Sequence, residues 1–153
     1  SLPIVDRNGL TGKYLDLSNY RCKVVVLEFM GAWCPPCQHW VPVLETLYQQ
    51  YDSKGVIFIA VALPWSSSHP EYQNVSITEF LSKYNSSLTY VYDSAYTASS
   101  MYDVKFVPTL FVLSKGGPVY GTYGGEDGVE DTEILMSSVA KDIDKALSEP
   151  EPA

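Results

Sequence analysis

The residues best able to do chemistry stand together at Trp33-Cys34-Pro35-Pro36-Cys37. Two cysteines separated by two residues can cycle between a dithiol and a disulfide. Their setting sharpens that reading. Upstream, Val24 to Met30 is β-branched and apolar except for Glu28, the pattern of a strand covered on both faces. Downstream, Cys34 through Tyr51 carries Val41, Leu44, Leu47, Tyr48 and Tyr51 at helical spacing. A helix N-terminus presents unpaired amides and the positive end of the macrodipole, which favour a thiolate at Cys34. Prolines at the first helical positions lose no intrahelical hydrogen bond. The spacer sets Cys37 one turn further in, within reach of the first sulfur and less exposed.

The expected cycle is thiol–disulfide exchange. Cys34 attacks a disulfide, a mixed disulfide forms, and Cys37 displaces the reduced product; run backwards, the pair oxidises a dithiol. The alternative use of such a pair, half of a zinc site, needs two further ligands. Only Cys22, His39 and His69 remain, and they are scattered, so no metal and no cofactor is expected. Pro35 and Pro36 also remove two amide donors that could have served the Cys34 sulfur. A less stabilised thiolate leans the pair toward reduction rather than oxidation of its partners.

The elements that must position the pair follow from pattern. Leu2 to Asp16, with Asn8-Gly9 and Thr11-Gly12, reads as a short hairpin or irregular segment. Val56 to Leu63 is a second buried strand, and Pro64 to Val75 a Ser/Pro/aromatic loop. Ser76 and Glu79 form a capping box before the next helix. Leu88 to Tyr92 is a strand, Thr97 to Tyr102 a short helix, and Thr109 to Leu113 and Val119 to Tyr123 a hairpin. Asp131 to Leu147 closes the chain as an amphipathic helix whose apolar positions are Ile134, Leu135, Val139, Ile143 and Leu147. This alternation predicts an α/β fold: a mixed central sheet, helices on both faces, and a C-terminal antiparallel hairpin plus helix.

Composition agrees with one domain. The chain has 153 residues, 46% hydrophobic and 18% charged. Residues 1–148 form the expected domain and 149–153, acid and proline, a disordered tail. A net charge of −8 excludes a phosphate-backbone partner and disfavours an anionic membrane surface. No apolar run approaches the roughly 18 residues of a membrane-spanning helix, so no membrane insertion of this segment is expected. The opening at Ser1, with no basic-then-apolar leader, implies that any targeting segment or anchor is absent from this chain.

The run from Glu28 to Cys37, with Val107-Pro108-Thr109 and a glycine (Gly124 or Gly125) after the hairpin, resembles the thioredoxin superfamily. Asp6 to Gly9, Tyr14 to Lys23 and the Pro64 to Val75 insert resemble its TlpA/ResA-like branch, over roughly residues 2 to 147. The resemblance implies a thioredoxin-like fold, with Pro108 as a cis-proline beside Cys34 and Val107 offering its backbone to an extended substrate. Trp33, which can shield the disulfide, joins Pro35, Pro36, Val107 and Pro108 as candidate substrate contacts. Glu28 stands where thioredoxin carries a buried acid that accepts the resolving cysteine's proton. The strand Val56 to Leu63 holds no cation to pair with it, so Glu28 is expected to be protonated near neutral pH.

The resemblance further implies cysteine-containing protein substrates, a thiol–disulfide electron donor or acceptor, and a monomer working outside the cytoplasm, in periplasm or envelope. Apocytochrome cysteines and misoxidised envelope proteins are the suggested targets. Two rival readings use the same fold. A peroxiredoxin-type peroxidase wants a hydroxyl residue and a proline where this chain has Gly31 and Leu27, and a copper-binding chaperone wants a late histidine, absent after His69. Cys22 is read as a passive thiol, and Trp65, His69 and Tyr72 as candidate lining of a substrate groove.

Overall fold

The computed structural model describes residues 1–64, 76–124 and 131–152. Its order is β1 (Leu2–Asp6), β2 (Gly9–Leu15), β3 (Val25–Met30), α1 (Pro35–Tyr51), β4 (Ile57–Ala62), α2 (Ile77–Tyr84), β5 (Thr89–Tyr92), α3 (Thr97–Met101), β6 (Thr109–Leu113), β7 (Val119–Gly124) and α4 (Thr132–Ser148). The strands form one mixed sheet in the order β2-β1-β5-β4-β3-β6-β7. β3 pairs in parallel with β4, and β4 with β5. β6 runs antiparallel to β3 and to β7. The N-terminal segment is a true hairpin, and β1 attaches it antiparallel to β5 in the same sheet.

β3 is the central element and is buried along its whole length. Alternation sends Val24, Val26 and Met30 toward one face, where α1, α2 and α4 supply Trp40, Leu44, Leu47, Phe80, Leu135, Val139 and Ile143. Val25, Leu27 and Phe29 face the other side, against Phe111, Tyr102, Leu17 and Tyr20. Phe29, Tyr102 and Phe111 pack there with ring centroids 5.3 to 5.9 Å apart. A strand covered on both faces must be apolar at every position, which is why the single charge at Glu28 stands out.

Local signals set the helix ends. The Ser76 hydroxyl accepts the Glu79 amide at 3.2 Å, and Asp131 accepts the Glu133 and Ile134 amides at 2.9 and 3.2 Å. The α4 stripe differs from expectation at one position. Ile134 is 63% exposed, and the buried row is Leu135, Val139, Ile143 and Ala146. Ile134 lies about 100° around the helix from Leu135, outside the arc that meets the sheet.

Candidate active site

α1 begins directly beyond the end of β3, and the link is short enough to dictate the geometry. The Cys34 amide donates to the Gly31 carbonyl at 3.1 Å, and a Cβ at Gly31 would run into the Trp33 indole. Cys34 itself is the N-cap of α1, in extended backbone conformation. Pro35 and Pro36 occupy the first two helical positions and have no amide hydrogen. The first available donor is therefore Cys37, and its N–H reaches the Cys34 sulfur at 3.2 Å. Cys34 and Cys37 form a disulfide with Cα atoms 5.3 Å apart. Cys34 is 3% exposed and Cys37 1%, so both are buried and the second is the deeper.

Chain segments far apart in sequence close the site. The Val107 carbonyl lies 3.7 Å from the Cys34 sulfur, and the Val107–Pro108 bond is cis, as the resemblance implies. The Thr109 hydroxyl donates to the Phe106 carbonyl at 2.6 Å and ties down the turn. Gly124, with φ +92°, ends β7 beside this turn. A Cβ there would overlap the Pro108 carbonyl and come within 2.8 Å of the Trp40 ring, so glycine permits the approach. Trp33 is buried, and its indole N–H donates to the Pro64 carbonyl at 3.1 Å.

Glu28 is 2% exposed and sits on the α1 face of β3, in register with Ala60 of β4 and Leu110 of β6. Burial pushes its carboxyl up to about 8, and no hydrogen-bond donor or cation among the described residues offsets it. Tyr90 is in register with Ala60 from the next strand. Its phenol is raised first by burial and then by the Glu28 charge, so the two acids face a common apolar layer.

His39 is exposed on the outer side of α1. Cys22 is a half-buried free thiol in a loop, with φ +69°. Among the described residues no three histidine, cysteine or acidic side chains cluster as metal ligands, and no helix is long and apolar enough to cross a membrane. Trp65, His69, Tyr72 and Gly125 lie outside the described residues. Two residues beside the site, Trp40 near Gly124 and Phe106 preceding Val107, are not among those the sequence pattern singles out. Trp40 continues the row Cys37, Trp40, Leu44, Leu47 and Tyr51, a helical signal open to inspection. Phe106 carried no signal, because nothing local distinguishes an exposed aromatic from a buried one.

A buried cysteine pair, closed as a disulfide at a helix N-terminus, beside a cis-proline turn and over a parallel-stranded core, defines a thioredoxin-fold thiol–disulfide oxidoreductase. Comparison with known proteins agrees. The Redoxin family model matches residues 3–139. The thiol-disulfide oxidoreductase ResA of Geobacillus kaustophilus is 32% identical over 130 residues, covering 85% of this chain and 71% of that protein. ResA of Bacillus thuringiensis is 28% identical over 130 residues, with the same coverage. The crystal structure of a putative thiol:disulfide interchange protein DsbE from Chlorobium tepidum superimposes with a TM-score of 0.72 at 23% identity, covering 95% of this chain and 92% of that one. The chain belongs to the redoxin family, as a ResA-like thiol–disulfide oxidoreductase.

Proposed function

We propose that this oxidoreductase reduces disulfides in polypeptides, with Cys34 as the attacking sulfur and Cys37 as the resolving one. The observation that carries the reading is the Cys37 amide aimed at the Cys34 sulfur from the mouth of α1, with prolines at the two intervening positions. In the reduced protein the Cys34 thiolate attacks one sulfur of a substrate disulfide, and the other leaves as a thiolate. Cys37, deprotonated, then attacks Cys34 and expels the second substrate thiolate. Two electrons pass to the substrate, and the protein is left with the Cys34–Cys37 disulfide.

Glu28 serves as the acceptor of the Cys37 proton. With the carboxyl held near 8, the ionised fraction able to take that proton is small at neutral pH and grows as pH rises toward 8. Trp33, Pro35, Pro36, Val107 and Pro108 form the contact surface, with the Val107 backbone pairing to an extended substrate segment. The direction follows from donor count: one amide and a helix dipole stabilise the thiolate less than a full set of donors would. A dithiol donor must re-reduce the pair. The setting we assign is extracytoplasmic, with apocytochrome or misoxidised envelope cysteines as targets; one structural relative, a disulfide oxidoreductase of Mycobacterium tuberculosis, is described as secreted.

The test is trapping with Cys37→Ala, whose mixed disulfides at Cys34 cannot resolve. Cysteine-bearing polypeptides released by dithiothreitol are the expected catch, and an empty trap refutes protein substrates. Redox titration checks direction: a potential near the roughly −270 mV reductant end is expected, and one near roughly −120 mV reverses it.

A further inference from the structure

We propose that Phe106 is a specificity-determining residue of this site, an apolar wall that selects substrates carrying a bulky apolar residue next to the reactive cysteine. The inference rests on the reading of polypeptide substrates above and adds what they must look like.

Phe106 immediately precedes Val107, whose carbonyl lies 3.7 Å from the attacking sulfur. The two neighbours have opposite fates. Val107 is half-buried and packs against both core clusters, whereas Phe106 is 46% exposed. The ring takes no aromatic partner among the described residues, although Phe29, Tyr102 and Phe111 all pair in the adjoining core. Its backbone is nonetheless fixed, because its carbonyl accepts the buried Thr109 hydroxyl at 2.6 Å. An exposed aromatic on a pinned turn is organised for contact, since little conformational freedom remains to be lost on binding.

The sulfur it serves is nearly inaccessible. With Cys34 at 3% exposure, a disulfide within a rigid folded surface cannot approach it easily. An extended segment can, by pairing along the Val107 backbone. In that pairing the Phe106 carbonyl is already engaged by Thr109, so residue 106 offers the substrate its ring rather than a main-chain acceptor. A substrate side chain flanking the cysteine then covers that ring and removes apolar surface from water. A polar or charged neighbour gains nothing there and leaves the ring wet.

The experiment uses the fully reduced chain and two peptides of equal length, each closed by an internal disulfide. They differ only in having phenylalanine or serine before the attacked cysteine. Each reduced chain supplies two electrons, becomes the Cys34–Cys37 disulfide and leaves a dithiol peptide, so single-turnover rates suffice. The expected ratio of second-order rates favours the phenylalanine peptide about tenfold, equivalent to about 1.4 kcal/mol. Phe106→Ala should bring that ratio close to one, and Phe106→Leu should keep most of it. Because the readout is a ratio within one protein, a general loss of stability or reactivity does not imitate it.

A small disulfide, hydroxyethyl disulfide, serves as the control substrate. A chain that reduces both peptides without discrimination, or that discriminates equally after Phe106→Ala, overturns the role of Phe106 and leaves polypeptide reduction standing. A chain that reduces hydroxyethyl disulfide but neither peptide overturns polypeptide reduction, and the Phe106 assignment with it.

Discussion

Glu28 makes the stability of this protein depend on pH in a direction opposite to that of most carboxylates. Burial raises its folded-state pKa from 4.5 to about 8, whereas the unfolded chain exposes an ordinary glutamate. Between those values the folded state holds a proton that the unfolded state has released. Stability therefore falls as pH rises through the window, by about 1.4 kcal/mol per pH unit. It is fully retained below 4.5, and the loss levels off above about 8, at a total of about 5 kcal/mol. That total is a large part of the roughly 5 to 15 kcal/mol that holds a typical domain folded. Glu28→Gln replaces the protonated acid with a neutral side chain of the same shape and removes the penalty. Urea unfolding of the oxidised protein, with both active-site sulfurs locked in the disulfide, isolates the effect from thiol titration. The difference between variant and parent should be small at pH 5 and grow in favour of glutamine to pH 8, then hold constant. A difference independent of pH refutes the raised pKa of the buried carboxyl.

Other expectations follow from single contacts. Gly124→Ala places a Cβ against the Pro108 carbonyl and the Trp40 ring at φ +92°, and should destabilise by about 1 to 3 kcal/mol in urea unfolding while slowing disulfide exchange. Asp131→Ala removes the acceptor for the first α4 amides and should lower stability by about 0.5 to 2 kcal/mol, with no change in the redox potential. If Glu28 accepts the Cys37 proton, Glu28→Gln should flatten the rise in exchange rate near pH 8, read from stopped-flow Trp fluorescence.

The reading of α1 shows how far local chemistry carries. Cys34, the two prolines and Cys37 are adjacent in the chain, so cap geometry, missing amides and the inward second sulfur all follow from neighbours a turn apart. The same holds for the Ser76 and Asp131 caps. Ile134 shows where such reasoning stops. Its apolar character fits an amphipathic helix, but which arc of α4 meets the sheet depends on how the helix is rolled against α1 and β6. Trp40 stood in a legible row, yet its ring closes off the space a side chain at Gly124 would need only because the hairpin returns beside it.

By itself, then, the sequence determined a redox dithiol at a strand-to-helix junction, the alternation of elements and an anomalous acid in a buried strand. Each depends on residues within a few positions of one another. Tertiary structure alone decided what surrounds that dithiol. β6 inserts antiparallel against β3 and brings Val107 to a sulfur 73 residues away in the chain. The burial that shifts Glu28, the closeness of Gly124 to Pro108 and the exposure of Phe106 beside a buried Val107 arise from the same placement. Such contacts join strands whose order in the sheet differs from their order in the chain, and pairwise spacing along the sequence carries no record of it.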